Sequence, residues 1–268
     1  MMYRWSWLCP WLAIALAAAV LMLFGLTWWS ALLAAFLLVC PALMLWGLFV
    51  IRPKSDEPTV HTRGMIMDWA APFYDMYCRA VGLGQGFRDQ TLQVAAIRAG
   101  ETILDVGCGT GMLTRRAGEA AGPAGLAIGI DPGQDMIRIA KEKNNAQRHG
   151  GHTAFKVATI ENLSFESASF DVVLSSLMLH HLPPDLKRKG LREVYRVLKP
   201  GGRFIVVDFY RPANPLWWLV AWPFLYMPMT ADNFRGTLPD YFREAGFDPV
   251  QGKGRRAGIL AFWCAIKP

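Results

Sequence analysis

A run of 47 residues without Asp, Glu, Lys, Arg or His, residues 5–51, limits most strongly what this chain can fold into. About 20 helical residues cross the ~30 Å hydrocarbon layer of a bilayer, so the run is long enough for two spans. We place them at residues 7–26 and 31–51, with a tryptophan-bearing connection at 27–30 that suits the headgroup level. The sequence therefore predicts an N-terminal transmembrane helical hairpin within a membrane anchor at residues 1–52.

The charges that flank this run predict its orientation. Arg4 precedes the first span, and Arg52 and Lys54 follow the second, so the positive-inside rule places both ends of the hairpin in the cytoplasm. Two alternatives are weaker. A cleaved signal peptide has an apolar stretch of only about 7–15 residues and no second span. A buried hairpin in a soluble protein would usually carry a polar face. We expect an integral membrane protein whose remaining domain faces the cytoplasm.

Composition indicates which kinds of binding partner to expect: lipid, nucleic acid or metal. The chain is 53% hydrophobic and 18% charged, and its net charge of +7 would attract anionic lipid and nucleic acid alike. No stripe of basic and aromatic residues of the nucleic-acid-binding kind is present, so we expect a lipid bilayer as partner and no nucleic acid. The five cysteines lack metal-type spacing, which predicts no metal site and agrees with a reducing cytoplasm.

After a polar linker at residues 53–64, residues 65–268 form one predicted domain. Residues 65–99 read mostly as helix. Short apolar strands then alternate with helices, which is typical of a parallel, doubly wound α/β sheet. The predicted strands are 102–106, 126–130, 154–157, 170–175 and 203–208, and the intervening helices include 133–147 and 185–198. A helix at 238–245 leads to strands 247–251 and 259–266, which lack a crossover helix and so predict a terminal antiparallel hairpin.

The segment ILDVGCGTG, residues 103–111, is a strand that runs into a glycine-rich turn. Glycines at this position let the backbone approach a ligand and direct amide groups at an anionic group. Asp131 ends the second strand, twenty residues after Gly111, where a carboxylate can accept hydrogen bonds from both ribose hydroxyls. The pattern predicts a site for a nucleotide-like cofactor.

The spacing separates two classes of cofactor. A dinucleotide fingerprint requires glycine at position 112, where this chain has Met112. The pattern is instead D-x-G-x-G-x-G, with Asp105 just ahead of the turn. An acidic side chain there favours a cofactor that carries an ammonium group and would repel a pyrophosphate.

This segment resembles the first motif of class I S-adenosylmethionine-dependent methyltransferases. From about residue 65 to 268 the chain is similar to the branch that contains the ubiquinone and menaquinone C-methyltransferases and the small phosphatidylethanolamine N-methyltransferases. The matching segments are FYDMYCR, AIGIDPGQDMI, ENLSFESASFDVVLSSLMLHHL, REVYRVLKPGGRFIVVDF and LPDYFREAGF. The resemblance implies an enzyme with S-adenosylmethionine as cofactor and a Rossmann-like seven-stranded methyltransferase sheet.

The resemblance also assigns cofactor-binding residues. It implies that Asp131 binds the ribose, Met136 packs on the adenine and Ser175 lies under the cofactor. Many relatives have Gly-Asp-Ala after the third strand, whereas this chain has Thr159 and Ile160, which implies a weaker contact to the adenine amino group. The methionine end is implied to lie against Asp105, Gly107, Cys108, Gly109 and Gly111.

Catalytic residues are harder to predict, because a sulfonium is already an activated leaving group and the enzyme mainly aligns the reactants. A general base is needed only if the acceptor must lose a proton. His180, just after the fourth strand, is a candidate; Tyr74 and Asp208 are others. Ordinary packing or loop hydrogen bonding is an alternative role for each.

The segment PANPLWWLVAWPFLYMPM, residues 212–229, follows the fifth strand, where this family inserts an element that covers the substrate. Its aromatic residues and prolines favour an interfacial helix over a transmembrane one. We interpret it as a membrane-dipping lid; a dry hydrophobic lid or a dimer surface is the alternative.

We therefore expect a methyltransferase that acts on a lipophilic acceptor, either a phospholipid amine headgroup or a quinol. Two other functions stay open. One is a methyltransferase for a soluble small molecule that uses the anchor for location only. The other is a non-catalytic membrane-bound binding protein.

Overall fold

A computed structural model of the chain describes residues 60–146 and 152–268. The predicted transmembrane hairpin and residues 53–59 of the linker lie outside the described residues, so the hairpin stays a prediction. Within the two described ranges, no helix has both the length and the apolar composition needed to cross a bilayer.

The described residues contain a seven-stranded sheet with the strand order β3-β2-β1-β4-β5-β7-β6. The first five strands are parallel, and β7 is antiparallel to both β5 and β6. This confirms the predicted Rossmann-like sheet with a terminal antiparallel hairpin. The strands are β1 Thr102–Val106, β2 Leu126–Asp131, β3 His152–Val157, β4 Phe170–Ser176, β5 Leu198–Phe209, β6 Val250–Arg256 and β7 Leu260–Ile266.

Helices connect the strands and cover the sheet. The region 65–99, expected to be mostly helical, contains one short 3-10 helix, Asp68–Ala70, followed by two α-helices. The α-helices of the described residues are α1 Tyr74–Ala80, α2 Gln85–Ala95, α3 Met112–Ala121, α4 Gln134–Ala146, α5 Pro184–Val197, α6 Pro215–Ala221, α7 Pro228–Arg235 and α8 Leu238–Glu244. Two further 3-10 helices are Leu179–His181 and Trp222–Tyr226.

Successive residues of the central strands belong to two different hydrophobic clusters. In β1, Leu104 packs in one cluster together with residues of α5 and α8, whereas Ile103 packs in another together with residues of α3. This alternation follows from the two-residue period of a strand. The sheet is therefore buried on both faces. A ligand site is expected in the loops that follow the carboxyl ends of the strands, because those loops are exposed.

The position of β6 differs from the expectation. We predicted a strand at 247–251 and a basic turn after it, whereas the strand is Val250–Arg256 and contains Lys253 and Arg255. In the described sheet β6 pairs only with β7, so it is an edge strand and most of its residues are exposed. Charged side chains are tolerated there and hinder unwanted strand pairing.

Candidate active site

The strand order reverses between β1 and β4, and ligands of doubly wound sheets bind at the carboxyl edge beside such a point. The glycine-rich turn lies there. Gly107 and Gly109 have φ angles of 73° and 53°, in the left-handed region that favours glycine. A Cβ atom on Gly107 would lie 2.3 Å from Cγ of Met178, so a larger residue would close the turn. Gly107 is thus required by the packing of Met178 against the turn, and its backbone lines the two clefts described below.

Asp131, the last residue of β2, lies beside this turn. Its carboxylate accepts hydrogen bonds from the backbone N–H of Gly109 at 2.9 Å and of Gly133 at 2.8 Å. Burial raises the pKa of Asp131 to about 6, and these two hydrogen bonds oppose the shift. The carboxyl group is held at the end of its strand, as the ribose-binding role requires.

A first cleft opens on the Asp131 side of the turn. Several predicted cofactor-binding residues meet in its wall although they come from four separate parts of the chain. The predicted residues that line the first cleft are Tyr74, Gly107, Gly109, Asp131, Met136, Thr159 and Ile160. Met136 and Ile160 are buried apolar side chains, which suits the face of an adenine ring.

A second cleft lies on the other side of Tyr74, next to the predicted methionine-end residues. Asp105, Gly107 and Cys108 line it together with Thr110. The side chain of Asp105 is buried; its Oδ2 accepts a hydrogen bond of 2.6 Å from Thr114, whereas its Oδ1 has no hydrogen-bond partner. Burial raises the pKa of Asp105 to about 7. A buried oxygen without a partner is costly unless a ligand donates to it.

Arg88, on α2, also lines the second cleft, and our sequence reasoning did not identify it. Its side chain is buried and donates one hydrogen bond of 2.7 Å to the carbonyl of Leu83. A cation and an unpaired carboxylate oxygen therefore line one small cleft, which is the arrangement that a zwitterionic amino acid group requires. The available signal was an arginine within the apolar face of α2 that contains Phe87 and Ala95.

The segment before β1 closes over the site. Asp68 accepts hydrogen bonds from the backbone N–H groups of Gln134 and Asp135 at the start of α4, at 2.9 and 3.0 Å. Asp75 accepts a hydrogen bond of 2.6 Å from Thr110 in the glycine-rich turn. Tyr74 lines both clefts, and burial raises the pKa of its hydroxyl, so the phenol is neutral. Asp68 and Asp75 were not identified from the sequence either.

The catalytic candidates His180 and Asp208 form a pair. Nδ1 of His180 lies 2.7 Å from Oδ1 of Asp208, and the Asp208 side chain is fully buried. Burial acts to raise the pKa of Asp208, but the charge and hydrogen bond of His180 and the Phe209 N–H outweigh it, so the pKa is lowered. His181 instead lines the first cleft, where burial lowers the pKa of its imidazole to about 3.

Two predicted cofactor-binding residues, Gly111 and Ser175, line neither cleft. A Cβ atom on Gly111 would lie 2.4 Å from the Phe155 ring, so this glycine packs against β3. Ser175 is buried in β4 beside Val106, and its hydroxyl oxygen has no partner. Its neighbour Ser176 lines the second cleft. Among residues 60–146 and 152–268, no group of three or more His, Cys, Asp or Glu side chains is arranged to hold a metal ion.

The two clefts fit S-adenosylmethionine. The unpaired oxygen of Asp105 suits the α-ammonium group, and Arg88 suits the α-carboxylate. Asp131 and Met136 line the first cleft as a ribose acceptor and an adenine contact would. Tyr74 and Gly107 line both clefts, so they would lie against the middle of the cofactor, between its amino acid and nucleoside ends.

The predicted lid, residues 212–229, begins directly after β5. It comprises α6, the 3-10 helix Trp222–Tyr226 and the start of α7. Trp222 and Tyr226 are 55% and 78% exposed, and the neighbouring Phe224 and Met227 are exposed as well. Such a concentration of exposed apolar side chains marks a contact surface.

Comparison with known proteins identifies the family. A family model described as "Methyltransferase domain" matches residues 103–202. The ubiquinone/menaquinone biosynthesis C-methyltransferase UbiE of Ectopseudomonas mendocina is 31% identical over an alignment of 208 residues, and the match covers 70% of this chain and 80% of that protein. UbiE of Pseudomonas fluorescens is 30% identical over the same shares.

Solved structures share the fold. An S-adenosylmethionine-dependent methyltransferase from Methanosarcina mazei is 26% identical with a TM-score of 0.51, covering 66% of this chain and 96% of that one. The phosphoethanolamine N-methyltransferase 2 of Haemonchus contortus, solved with phosphomonomethylethanolamine and S-adenosylhomocysteine, has 17% identity and a TM-score of 0.55, covering 69% and 53%. With the relatives above, these likenesses lead to one conclusion: the chain belongs to the class I S-adenosylmethionine-dependent methyltransferases, in the family of the ubiquinone/menaquinone C-methyltransferases.

Proposed function

We propose that this methyltransferase transfers the methyl group of S-adenosylmethionine to a ring carbon of a lipophilic quinol that reaches the site from a bilayer. In this proposal residues 1–52 anchor the enzyme and the domain faces the cytoplasm. The observation that carries it is the exposed aromatic lid, which follows the strand that ends at the His180–Asp208 pair. The two UbiE relatives are ubiquinone/menaquinone biosynthesis C-methyltransferases, which supports the same acceptor class.

Within this proposal each part of the site has a role. S-adenosylmethionine supplies a methyl group on a sulfonium, which needs no further activation. Asp105 and Arg88 would bind its amino acid group, and Asp131, Met136 and Thr159 its nucleoside. Tyr74 and Met178 would exclude water, since both line the first cleft beside the glycine-rich turn.

The lid supports a lipophilic acceptor for a physical reason. Tryptophan and tyrosine side chains favour the headgroup level of a bilayer, where their rings are apolar and their N–H or O–H groups stay hydrated. A lid that rests there would let a prenylated ring enter the site without crossing water. A dry lid or a dimer surface is the competing interpretation of the same residues.

The test is methyl transfer with the full-length chain in membranes. The purified enzyme, labelled S-adenosylmethionine and membranes from its own source are incubated under reducing conditions, and the lipids are extracted and separated. Label in the quinone fraction is the expected result. Label in the phospholipid fraction would show that the acceptor is an amine headgroup and not a quinol. Label only in the aqueous phase would show that the acceptor is a soluble small molecule and that the anchor serves only to locate the enzyme.

A further inference from the structure

We propose that His180, held by Asp208, is the general base that removes a hydroxyl proton from the acceptor ring. This rests on the proposed function, because only a hydroxylated acceptor needs such a base; an amine headgroup can react as the free amine. The carbon nucleophile of a quinol gains its reactivity when the neighbouring oxygen loses its proton. The inference therefore assigns the residue that activates the acceptor.

The geometry of the pair favours this role. Asp208 accepts three hydrogen bonds: from Nδ1 of His180 at 2.7 Å, from the backbone N–H of Phe209 at 2.7 Å and from the backbone N–H of His180 at 3.3 Å. The carboxylate thereby fixes the orientation of the imidazole and its tautomer, with the proton on Nδ1. Nε2 then carries the free lone pair, and the side chain retains 12% exposure.

The groups around the pair keep Asp208 ionised. Lys187, on α5, is fully buried and donates a hydrogen bond of 2.7 Å to the carbonyl of Met229 at the start of α7. Its ammonium group lies 3.9 Å from a carboxylate oxygen of Asp232 and also lowers the pKa of Asp208. His181, the other neighbour, makes a ring contact with His180 at 4.2 Å and is neutral at physiological pH. The charged groups facing His180 are therefore Asp208 and, behind it, Lys187 and Asp232.

A row of aromatic rings leads from His180 to the lid. The imidazole packs edge-on against Phe209 with centroids 4.7 Å apart, and Phe209 stacks on Phe234 at 5.5 Å. Phe234 contacts Phe224 at 5.7 Å, and Phe224 is exposed on the lid. His180 thus lies on the lid side of the site, whereas His181 faces the cofactor cleft. Phe234 is buried, so the row links His180 to the lid through packed rings, and its exposed end is Phe224, where an aromatic acceptor can pack.

The chemical step balances without any further reactant. Nε2 of His180 takes the hydroxyl proton, and the electron pair of the O–H bond enters the ring. The adjacent ring carbon bonds to the methyl carbon as the methyl–sulfur bond breaks and leaves its electron pair on sulfur, giving S-adenosylhomocysteine. The proton on that ring carbon then leaves to water, the ring regains its aromaticity, and His180 returns its proton to the oxygen.

The test compares full-length wild-type enzyme with His180→Gln and Asp208→Asn in detergent. The acceptors are 2-prenyl-1,4-naphthohydroquinone and an analogue with a ring fluorine, whose hydroxyl is more acidic. Near pH 7 we expect His180→Gln to lose about 10²- to 10⁴-fold in methyl transfer, the usual contribution of a general base. The loss should shrink by about tenfold per pH unit as the acceptor ionises by itself, and it should be smaller for the fluorinated acceptor.

Asp208→Asn tests the positioning role, because it keeps the shape of the side chain but removes the charge that sets the imidazole tautomer. We expect a lower kcat and a shifted pH profile. His152→Gln, at an exposed position at the start of β3, is the matched histidine control and should behave as the wild type. Binding of S-adenosylhomocysteine by all variants, measured by calorimetry, establishes that they are folded.

Three results would overturn the inference. Wild-type transfer by His180→Gln near pH 7 would exclude a base at this position. A loss of equal size at every pH and for both acceptors would mean that His180 only supports the local structure. Failure of the wild-type enzyme itself to methylate either hydroquinone would instead reject the proposed function, and the assignment of a base with it.

Discussion

The carboxyl group of Asp105 is costly to ionise in the unliganded protein, because it is buried and one of its oxygens has no partner. Its pKa is raised from 3.8 to about 7. A raised carboxyl pKa means that the protonated form predominates below about pH 7, and the ionised form above it. The ammonium group of a bound cofactor would favour the ionised form, so cofactor binding and pH are linked.

We predict that S-adenosylmethionine binds about tenfold more tightly at about pH 8 than at about pH 6, since Asp105 is then already ionised. Calorimetric titration across this range measures it. Asp105→Asn should bind weakly and lose most of the pH dependence, whereas Asp89→Asn, on the exposed side of α2, should retain it. An unchanged pH dependence in Asp105→Asn would reject the assignment.

Arg88 yields a second prediction at the residue scale. Arg88→Met keeps the length of the side chain but removes its charge, and we expect about 10- to 100-fold weaker binding of S-adenosylhomocysteine, the range for a hydrogen bond to a charged group. 5′-Methylthioadenosine lacks the amino acid group, so its affinity should not change. Arg79→Met, on the exposed side of α1, is the control. An equal loss for both ligands would give Arg88 a structural role only.

At the scale of elements, a hydrogen bond fixes the start of the lid, at Ala213, to the rest of the domain, whereas residues further along the lid are exposed. The backbone N–H of Ala213 donates to the carbonyl of Gly258 at 2.9 Å, and Asn214 caps α6 by accepting from the N–H of Trp217 at 3.1 Å. A Cβ atom on Gly258 would lie 2.4 Å from the Trp217 ring. The exposed rings of Trp222 and Tyr226, further along the lid, contact each other.

We predict that replacing both rings, Trp222→Ser with Tyr226→Ser, raises the KM for a long-chain prenylated hydroquinone in vesicles by about tenfold or more, because interfacial contact area is lost. Steady-state kinetics in vesicles provide the measurement. A short-chain acceptor in detergent should react as before. If the variant instead changes the molar mass measured by light scattering, the segment is a dimer surface.

At the scale of the whole molecule, we expect the intact chain to remain in the membrane pellet after washes with high salt and alkaline carbonate and to be released only by detergent, as two transmembrane helices require. The lid double variant should fractionate in the same way, because residues 1–52 alone should suffice for anchoring. If high salt released the intact chain, the protein would be attached to the membrane by surface charge only and not by transmembrane helices.

Much of the fold follows from local patterns. Each parallel strand is a short apolar run between helices, so its existence can be predicted from residues near one another in sequence. The strand bounds agree closely for β1, β2 and β7. The shift of β6 was missed, because charged residues suit an exposed edge strand as well as a turn.

The sequence by itself determined the doubly wound α/β class, the glycine-rich turn and the carboxylates at Asp105 and Asp131, since each depends on residues close together in the chain. Only the tertiary structure decided which distant groups meet. It brought Arg88 to the cleft of Asp105, paired His180 with Asp208, and placed His181 in the lining of the first cleft. The reason is physical: burial and partners set the chemistry of these side chains, and both depend on packing between elements that lie far apart in sequence.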